Sequence, residues 1–269
     1  MLEVCDVQAQ YGNGFVALHS ITTFVTPGEI VVVCGPNGAG KSTLLSILAG
    51  DLKPVSGQVY LDNRPLSKYT TYELSSRRAV LEQSPRAAAP FIVGKLVSLA
   101  VHVSVDPSRC EAIVQDALSD VGLEDQKLDR IDQLSGGQRH RAHLARVIAQ
   151  LRAGDTAQPQ YLLLDEPTAS LDLVHQVAIM RVVRKIAALG IGVLVVLHDL
   201  NLAAAFADRI CLLKNGRVVS DSAPNICLTQ TILSDVYEAP IDVSIGSHND
   251  IRITPLFGLE RDQQEYNLV

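Results

Sequence analysis

Gly35-Pro36-Asn37-Gly38-Ala39-Gly40-Lys41-Ser42-Thr43 sets the architecture that the other residues must accommodate. It matches G-x-x-x-x-G-K-[ST]. Before it runs Glu29-Ile30-Val31-Val32-Val33-Cys34, a β-branched apolar run predicted to be a buried strand. After it, Leu44 to Ala49 is apolar at helical spacing and closes on Gly50. Strand, glycine loop, helix is the context in which this motif cradles phosphates. Its glycines let the backbone wrap closely, so that several N–H groups converge on one polyphosphate. The helix start adds partial positive charge. Lys41 supplies a full charge for the β- and γ-phosphates, and the Ser42 hydroxyl is placed to hold Mg²⁺. The competing reading is a glycine-rich turn that matches by coincidence.

Working outward, Tyr161-Leu162-Leu163-Leu164-Asp165-Glu166 is the second informative stretch. An apolar run ending in two acids reads as a parallel strand opening at the ligand edge of an α/β sheet. Asp165 suits Mg²⁺, and Glu166 suits orienting or deprotonating a water. The alternative, two acids capping the next helix, leaves the phosphate loop upstream unexplained. Ile191 to Leu197 is a third buried strand, ending at His198, and Ala79 to Glu82 a short one ending at Gln83. An amide in that place could reach a metal, although a lone Gln is more often a surface residue. Tyr11 lies in the turn between two strands, Leu2 to Val4 and Ala17 to Val25, where it is either a turn tyrosine or a platform for adenine.

The remaining chain is punctuated by turn residues. Gly57 to Asp62 is a predicted strand and Glu73 to Arg78 a short helix. Pro85 and Pro90 make Ser84 to Phe91 a loop with an apolar tip. Val93 to Leu123 is helical with breaks near Asp106-Pro107 and Gly122, and a helix is expected from Arg139 to Leu151. Arg152 to Gln160 reads as a surface loop and Ala169 to Asp172 as a turn before a helix over Val174 to Leu189. Asn215-Gly216 is a hairpin turn. Residues 226 to 237 read as helical, Val243 to Ile245 with Ile251 to Ile253 as a terminal hairpin, and the segment from Glu260 as a polar tail.

The 269 residues suit one large domain or a domain with a subdomain. No apolar run is long enough to cross a bilayer, and no secretory signal is visible. Five scattered cysteines without C-x-x-C spacing fit reduced thiols in the cytosol. A formal net charge of −6 without a basic cluster disfavours nucleic acid as the main partner.

With these residues in place, the sequence resembles the ATP-binding cassette (ABC) family over residues 1 to about 240. The phosphate loop, Leu134-Ser135-Gly136-Gly137-Gln138, the Asp165-Glu166 strand and His198 stand in the family's order. Gln83 and Ser170-Leu171-Asp172 fit two further motifs of the family. Among its members the chain looks most like stand-alone ATPases of bacterial importers for iron chelates, haem and cobalamin. The cues are Ala169 to Gln176 and Val236-Tyr237-Glu238-Ala239-Pro240, with the 152–160 loop pointing to haem importers.

The resemblance implies an α/β fold: a P-loop NTPase (RecA-like) core, an antiparallel β subdomain and an inserted helical subdomain. The ATPase domain would cover 1–240, its helical part about 88–150, and 241–269 would be a short C-terminal extension. It implies ATP and Mg²⁺ as ligands, with Ser42, Gln83 and Asp165 on the metal and Glu166, His198 and Gln83 serving catalysis. Tyr11 would stack on adenine. Two copies would pair head to tail, with Ser135, Gly136, Gly137 and Gln138 of one serving the nucleotide of the other and Asp172 linking the two sites. The expected setting is the cytoplasmic side of the bacterial inner membrane. There the Pro85 to Phe91 loop would receive a helix of a permease dimer that is fed by a periplasmic binding protein.

Alternatives are a ferric-siderophore or cobalamin importer, a soluble cassette ATPase without a permease, and a non-hydrolysing regulator. Repair cassettes carry a long coiled-coil insertion and translation-related ones two cassettes, and neither feature is present. His140, His143 and His175 are read as solvated or interface residues rather than haem ligands.

Overall fold

A computed structural model describes residues 1–12, 14–83, 91–101, 105–154, 157–169, 171–247 and 250–256. In chain order, β1 (Leu2–Gln10) and β2 (Val16–Val25) form an antiparallel pair in which buried and solvent-facing residues alternate. β3 (Ile30–Cys34) leads into α1 (Lys41–Ala49). β4 (Ser56–Leu61) and β5 (Arg64–Pro65) are joined by Asp62 and Asn63, both left-handed. Next come α2 (Thr71–Arg77), β6 (Arg78–Leu81), α3 (Val93–Ser98), α4 (Pro107–Asp120), α5 (Gly136–Ala153) and β7 (Tyr161–Asp165). α6 (Leu173–Ala188), β8 (Gly192–Val196), α7 (Leu200–Phe206), β9 (Arg209–Lys214) and β10 (Arg217–Ser222) follow. The described chain closes with α8 (Pro224–Cys227), α9 (Gln230–Tyr237), β11 (Ile241–Ile245) and β12 (Ile251–Pro255).

The main sheet has the order β10-β9-β3-β8-β7-β6, parallel except for β10. Every residue of β3, β7 and β8 is buried, because both faces of this sheet are covered. The period of two divides β3 between two apolar clusters. Ile30, Val32 and Cys34 join α3 to α7, whereas Val31 and Val33 join α1 and the four-stranded sheet β2-β1-β4-β5. Each fully buried Val or Leu contributes about 1.5–3 kcal/mol, so these strands anchor the sheet edge where the site lies. The mainly parallel sheet covered on both faces, with an antiparallel sheet packed on one of them, is an α/β fold as the sequence led us to expect.

Several boundaries differ from the sequence reading. α5 begins at Gly136, three residues before the expected Arg139, because Ser135 and Gln138 form a reciprocal capping box. It ends at Ala153, so Arg152 and Ala153 are helical rather than part of the following loop. Residues 226 to 237 are not one helix: α8 stops at Cys227, and Thr229 caps a new helix through its side chain. The Asn215-Gly216 turn is present, with both residues left-handed. The β11–β12 hairpin buries Ile241 and Ile253 in the larger cluster. The expected loop from Ser84 to Pro90, Ser170 and the tail from Glu260 lie outside the described residues.

Candidate functional site

The parallel strands β3, β6, β7 and β8 end on one edge, which is where an α/β sheet presents its ligand groups. At the end of β3, Gly35 has φ of 145°, and a Cβ there would lie 2.1 Å from the Leu213 carbonyl oxygen. Gly40 is left-handed, and a Cβ there would meet Leu18 at 2.5 Å and the Ala17 carbonyl oxygen at 2.7 Å. Only glycine fits either place, which fixes the loop's path over Pro36, Asn37, Gly38 and Ala39. Gly40 offers no side-chain cap to α1, so the N–H groups of the first turn remain for a ligand.

Lys41 is buried and donates to the carbonyls of Gly35 (2.8 Å) and Pro36 (2.9 Å). Burial lowers its pKa, against the opposing charge of Glu166. The Ser42 hydroxyl donates to Asp165 Oδ1 at 3.3 Å. Asp165, at the end of β7, is buried, which raises its pKa, while the Ser42 hydrogen bond pulls it back. Thr43 Oγ1 lies 2.9 Å from the Tyr11 hydroxyl, so Tyr11, half exposed, stands at the rim of the loop.

Glu166 has φ of 51°, a left-handed turn straight after β7. Its carboxylate accepts from Gln83 Nε2 at 2.8 Å and lies 2.5 Å from His198 Nε2. Thus Gln83 beyond β6, Glu166 beyond β7 and His198 beyond β8 meet at one point. A carboxylate so held is oriented by two neighbours and available to a water, the arrangement that general-base chemistry needs.

The other expected residues gather elsewhere. Ser135, Gly137 and Gln138 line a cavity of about 210 Å³ with Arg141, Leu171, Asp172 and His175. The Ser135 side chain accepts from the Gln138 N–H, and Gln138 Oε1 accepts from the Ser135 N–H. Asp172 Oδ1 accepts from the His175 N–H at 2.9 Å and lies 2.7 Å from His175 Nδ1. Hydrogen bonds to His175 hold the Asp172 carboxyl below its usual pKa. No phosphate-loop residue lines this cavity. Arg141 and Leu171 were not singled out in the sequence as site residues. The signal for Arg141 was its place three residues after Gln138, on the same helix face.

Two further readings are settled by position. His143 is 2% exposed and not solvated, because it sits four residues before Val147 on the buried stripe of α5. Phe91 is half-buried against the larger cluster, and its carbonyl accepts from the Ile131 N–H. The apolar side chain at the end of the proline-bounded loop therefore belongs to the core. All five cysteines are free.

Comparison with known proteins gives the same picture. Residues 18–169 match the family model described as ABC transporter. The chain is 44% identical to a hemin import ATP-binding protein HmuV of Rhodopseudomonas palustris, covering 86% of each chain. It is 45% identical to the HmuV of Hahella chejuensis, over 86% of this chain and 90% of the other. A subunit of the Clostridium perfringens cbiONQ transporter complex superposes with a TM-score of 0.74 at 30% identity, covering 87% and 92%. A dimeric ATP-binding cassette in a post-hydrolysis state with ADP and phosphate superposes with a TM-score of 0.72 at 27% identity, covering 83% and 99%.

Proposed function

Since the chain belongs to the ABC transporter family and is one of its ATP-hydrolysing cassettes, we propose that it powers an importer whose cargo is haem. The observation that carries the ATPase site is the meeting of Gln83, Glu166 and His198 beside Lys41, Ser42 and Asp165. In this reading the open N–H groups of α1 and Lys41 bind the β- and γ-phosphates, and Tyr11 stacks on adenine. Glu166 orients the attacking water and accepts its proton, and His198 holds the γ-phosphate side of that water.

Mg²⁺ fits the residues present. The Ser42 hydroxyl and Asp165 carboxylate are hard oxygen donors 3.3 Å apart. An ion of this kind keeps waters and nucleotide oxygens among its ligands. Ser42 and Asp165 would hold it, with Gln83 reaching it once nucleotide is bound, and it would neutralise charge developing on the phosphates.

The cavity at Ser135 and Asp172 needs a second copy in this reading. Leu173 and Val174, 68% and 77% exposed beside it, are apolar side chains suited to an interface. Head-to-tail pairing would set the signature of one chain over the nucleotide of the other, with Asp172 between the sites. No helix among the described residues is long and apolar enough to cross a membrane. Transport therefore needs a permease, against which the chain would sit peripherally on the cytoplasmic side.

Haem is favoured over a ferric siderophore or cobalamin by the names of the relatives at 40–45% identity. The test is ATP-dependent uptake in vesicles holding the chain with a candidate permease, offered hemin, a ferric siderophore or cobalamin on the matching binding protein. Hemin accumulation is expected. Uptake of either alternative without hemin uptake would replace the cargo, and ATPase activity indifferent to any permease would favour the soluble cassette.

A further inference from the structure

The segment Val236-Tyr237-Glu238-Ala239-Pro240 and the hairpin after it have no part in the site as described. Yet the structure ties the hairpin to the helix that follows His198. Tyr237 ends α9 and packs on the larger apolar cluster. Lys214 fixes that end of α9 by donating to the Asp235 carbonyl at 2.5 Å and pairing with Glu238 at 3.3 Å. After the left-handed Glu238 the chain turns into β11, and the Ile241 N–H donates to the Ser234 hydroxyl.

The tie is made at α7. Asn201 lies three residues after His198, in the first turn of that helix. Its amide grips the backbone of β12 with both polar atoms: Oδ1 accepts from the Ile253 N–H at 2.9 Å, and Nδ2 donates to the Ile253 carbonyl at 3.2 Å. A side-chain amide paired in this way imitates a strand and closes the outer edge of β12 onto the helix. Ile253 and Ile241 are buried beneath the grip, so the hairpin cannot shift without exposing them.

We propose that the β11–β12 hairpin is a brace on the catalytic site, in which Asn201, held by Ile253, positions His198. Asn201 is a positioning residue that acts through His198. The inference rests on the catalytic role proposed above for that histidine.

The brace predicts a distinct kinetic signature in the full chain. Asn201→Leu removes the grip at a solvent-facing position. It is expected to lower kcat about fivefold at unchanged KM, and to speed amide deuterium exchange across 197–206. Asn201→Asp keeps the acceptor for the Ile253 N–H and should fall between Leu and the parent in both readouts. A merely structural role would lower the melting temperature of Asn201→Leu without separating KM from kcat, and that result overturns the brace. So does parent-like kinetics with parent-like exchange. His198→Ala, assayed alongside, separates the two levels. Near-normal turnover there removes the role given to His198, whereas faster exchange in Asn201→Leu reports on the brace whatever His198 does.

Discussion

At the strand ends, Lys41 spends its donors on two carbonyls of its own loop, Ser42 reaches Asp165, and Glu166 is held by Gln83 and His198. At the signature cavity, Ser135 and Asp172 are exposed, and their hydrogen bonds go to the helix starts they cap. The first region is assembled from three strands and a loop of one chain, and its shape follows from sheet topology. The second is a surface whose polar groups are organised only as far as helix starts require. A site fixed by its own partners is prebuilt, whereas one left facing solvent would, in the reading proposed above, be completed by a second copy.

The hardest test of the prebuilt region is Glu166→Gln. It keeps the shape of the side chain and an acceptor oxygen but loses the carboxylate proposed as the base, so turnover should fall by about 10²-fold or more. ATP should still bind and hold a dimer together, as read by size-exclusion with labelled nucleotide. Near-normal turnover would show that the Gln83–Glu166–His198 meeting point is not the chemical centre. Lys41→Ala should weaken ATP binding and abolish turnover, and an unchanged titration would contradict its place against the phosphates.

The unfinished region is tested by mixing chains. Ser135→Arg and Lys41→Ala would damage different halves of the proposed shared site, so their mixed dimer should keep one site intact. A homodimer of the double variant should keep none. Equal loss of nucleotide-bound dimer in both preparations would mean that each site is built within one chain, and the contrast between the two regions would collapse.

A smaller effect comes from beneath the two regions, where α5 carries His143. Burial, helped by the charges of Arg146, His140 and Arg139, lowers its pKa to about 4, against about 6.5 for a free imidazole. As pH falls below about 6.5 the unfolded chain takes the proton first, so stability from this residue drops between those values and levels off below the lower one. Neither ring nitrogen has a hydrogen-bond partner among the described residues, so His143→Leu should flatten the fall of the urea midpoint over that range. An unchanged slope would assign the acid sensitivity to other groups. The smallest expected effect is that of Tyr11→Phe, which loses the contact to Thr43 and keeps the ring. The KM for ATP should rise about threefold or less, whereas Tyr11→Ala should raise it further if the ring stacks on adenine.

What was legible in the sequence follows the same division. The phosphate loop, the buried strands and Asn215-Gly216 were readable because local sterics dictate them: Gly35 and Gly40 admit no side chain, and β3 is apolar at every position. The start of α5 was misplaced because Gly136 and Gly137 argue against helix, although the Ser135–Gln138 spacing argued for one. His143 was misjudged because one polar residue on an apolar stripe cannot announce its own burial. The grip of Asn201 on Ile253 left no trace at all, since a side chain bonded to backbone 52 residues away places no demand on the identity of residue 253.

The capping box at Ser135 separates two kinds of selection at a single atom. As a helix cap, the side chain has only to accept from the Gln138 N–H, and Asn or Asp accepts as well as Ser, with Thr close behind. A library randomised at position 135 and sorted only for soluble, folded chains should therefore return all four. If the side chain also serves a partner's phosphate, as proposed, growth on the imported cargo would ask in addition for an uncharged group with a hydroxyl proton to give. The tolerated set should then contract to Ser and Thr, with Asp lost first because its charge opposes the phosphate it would face.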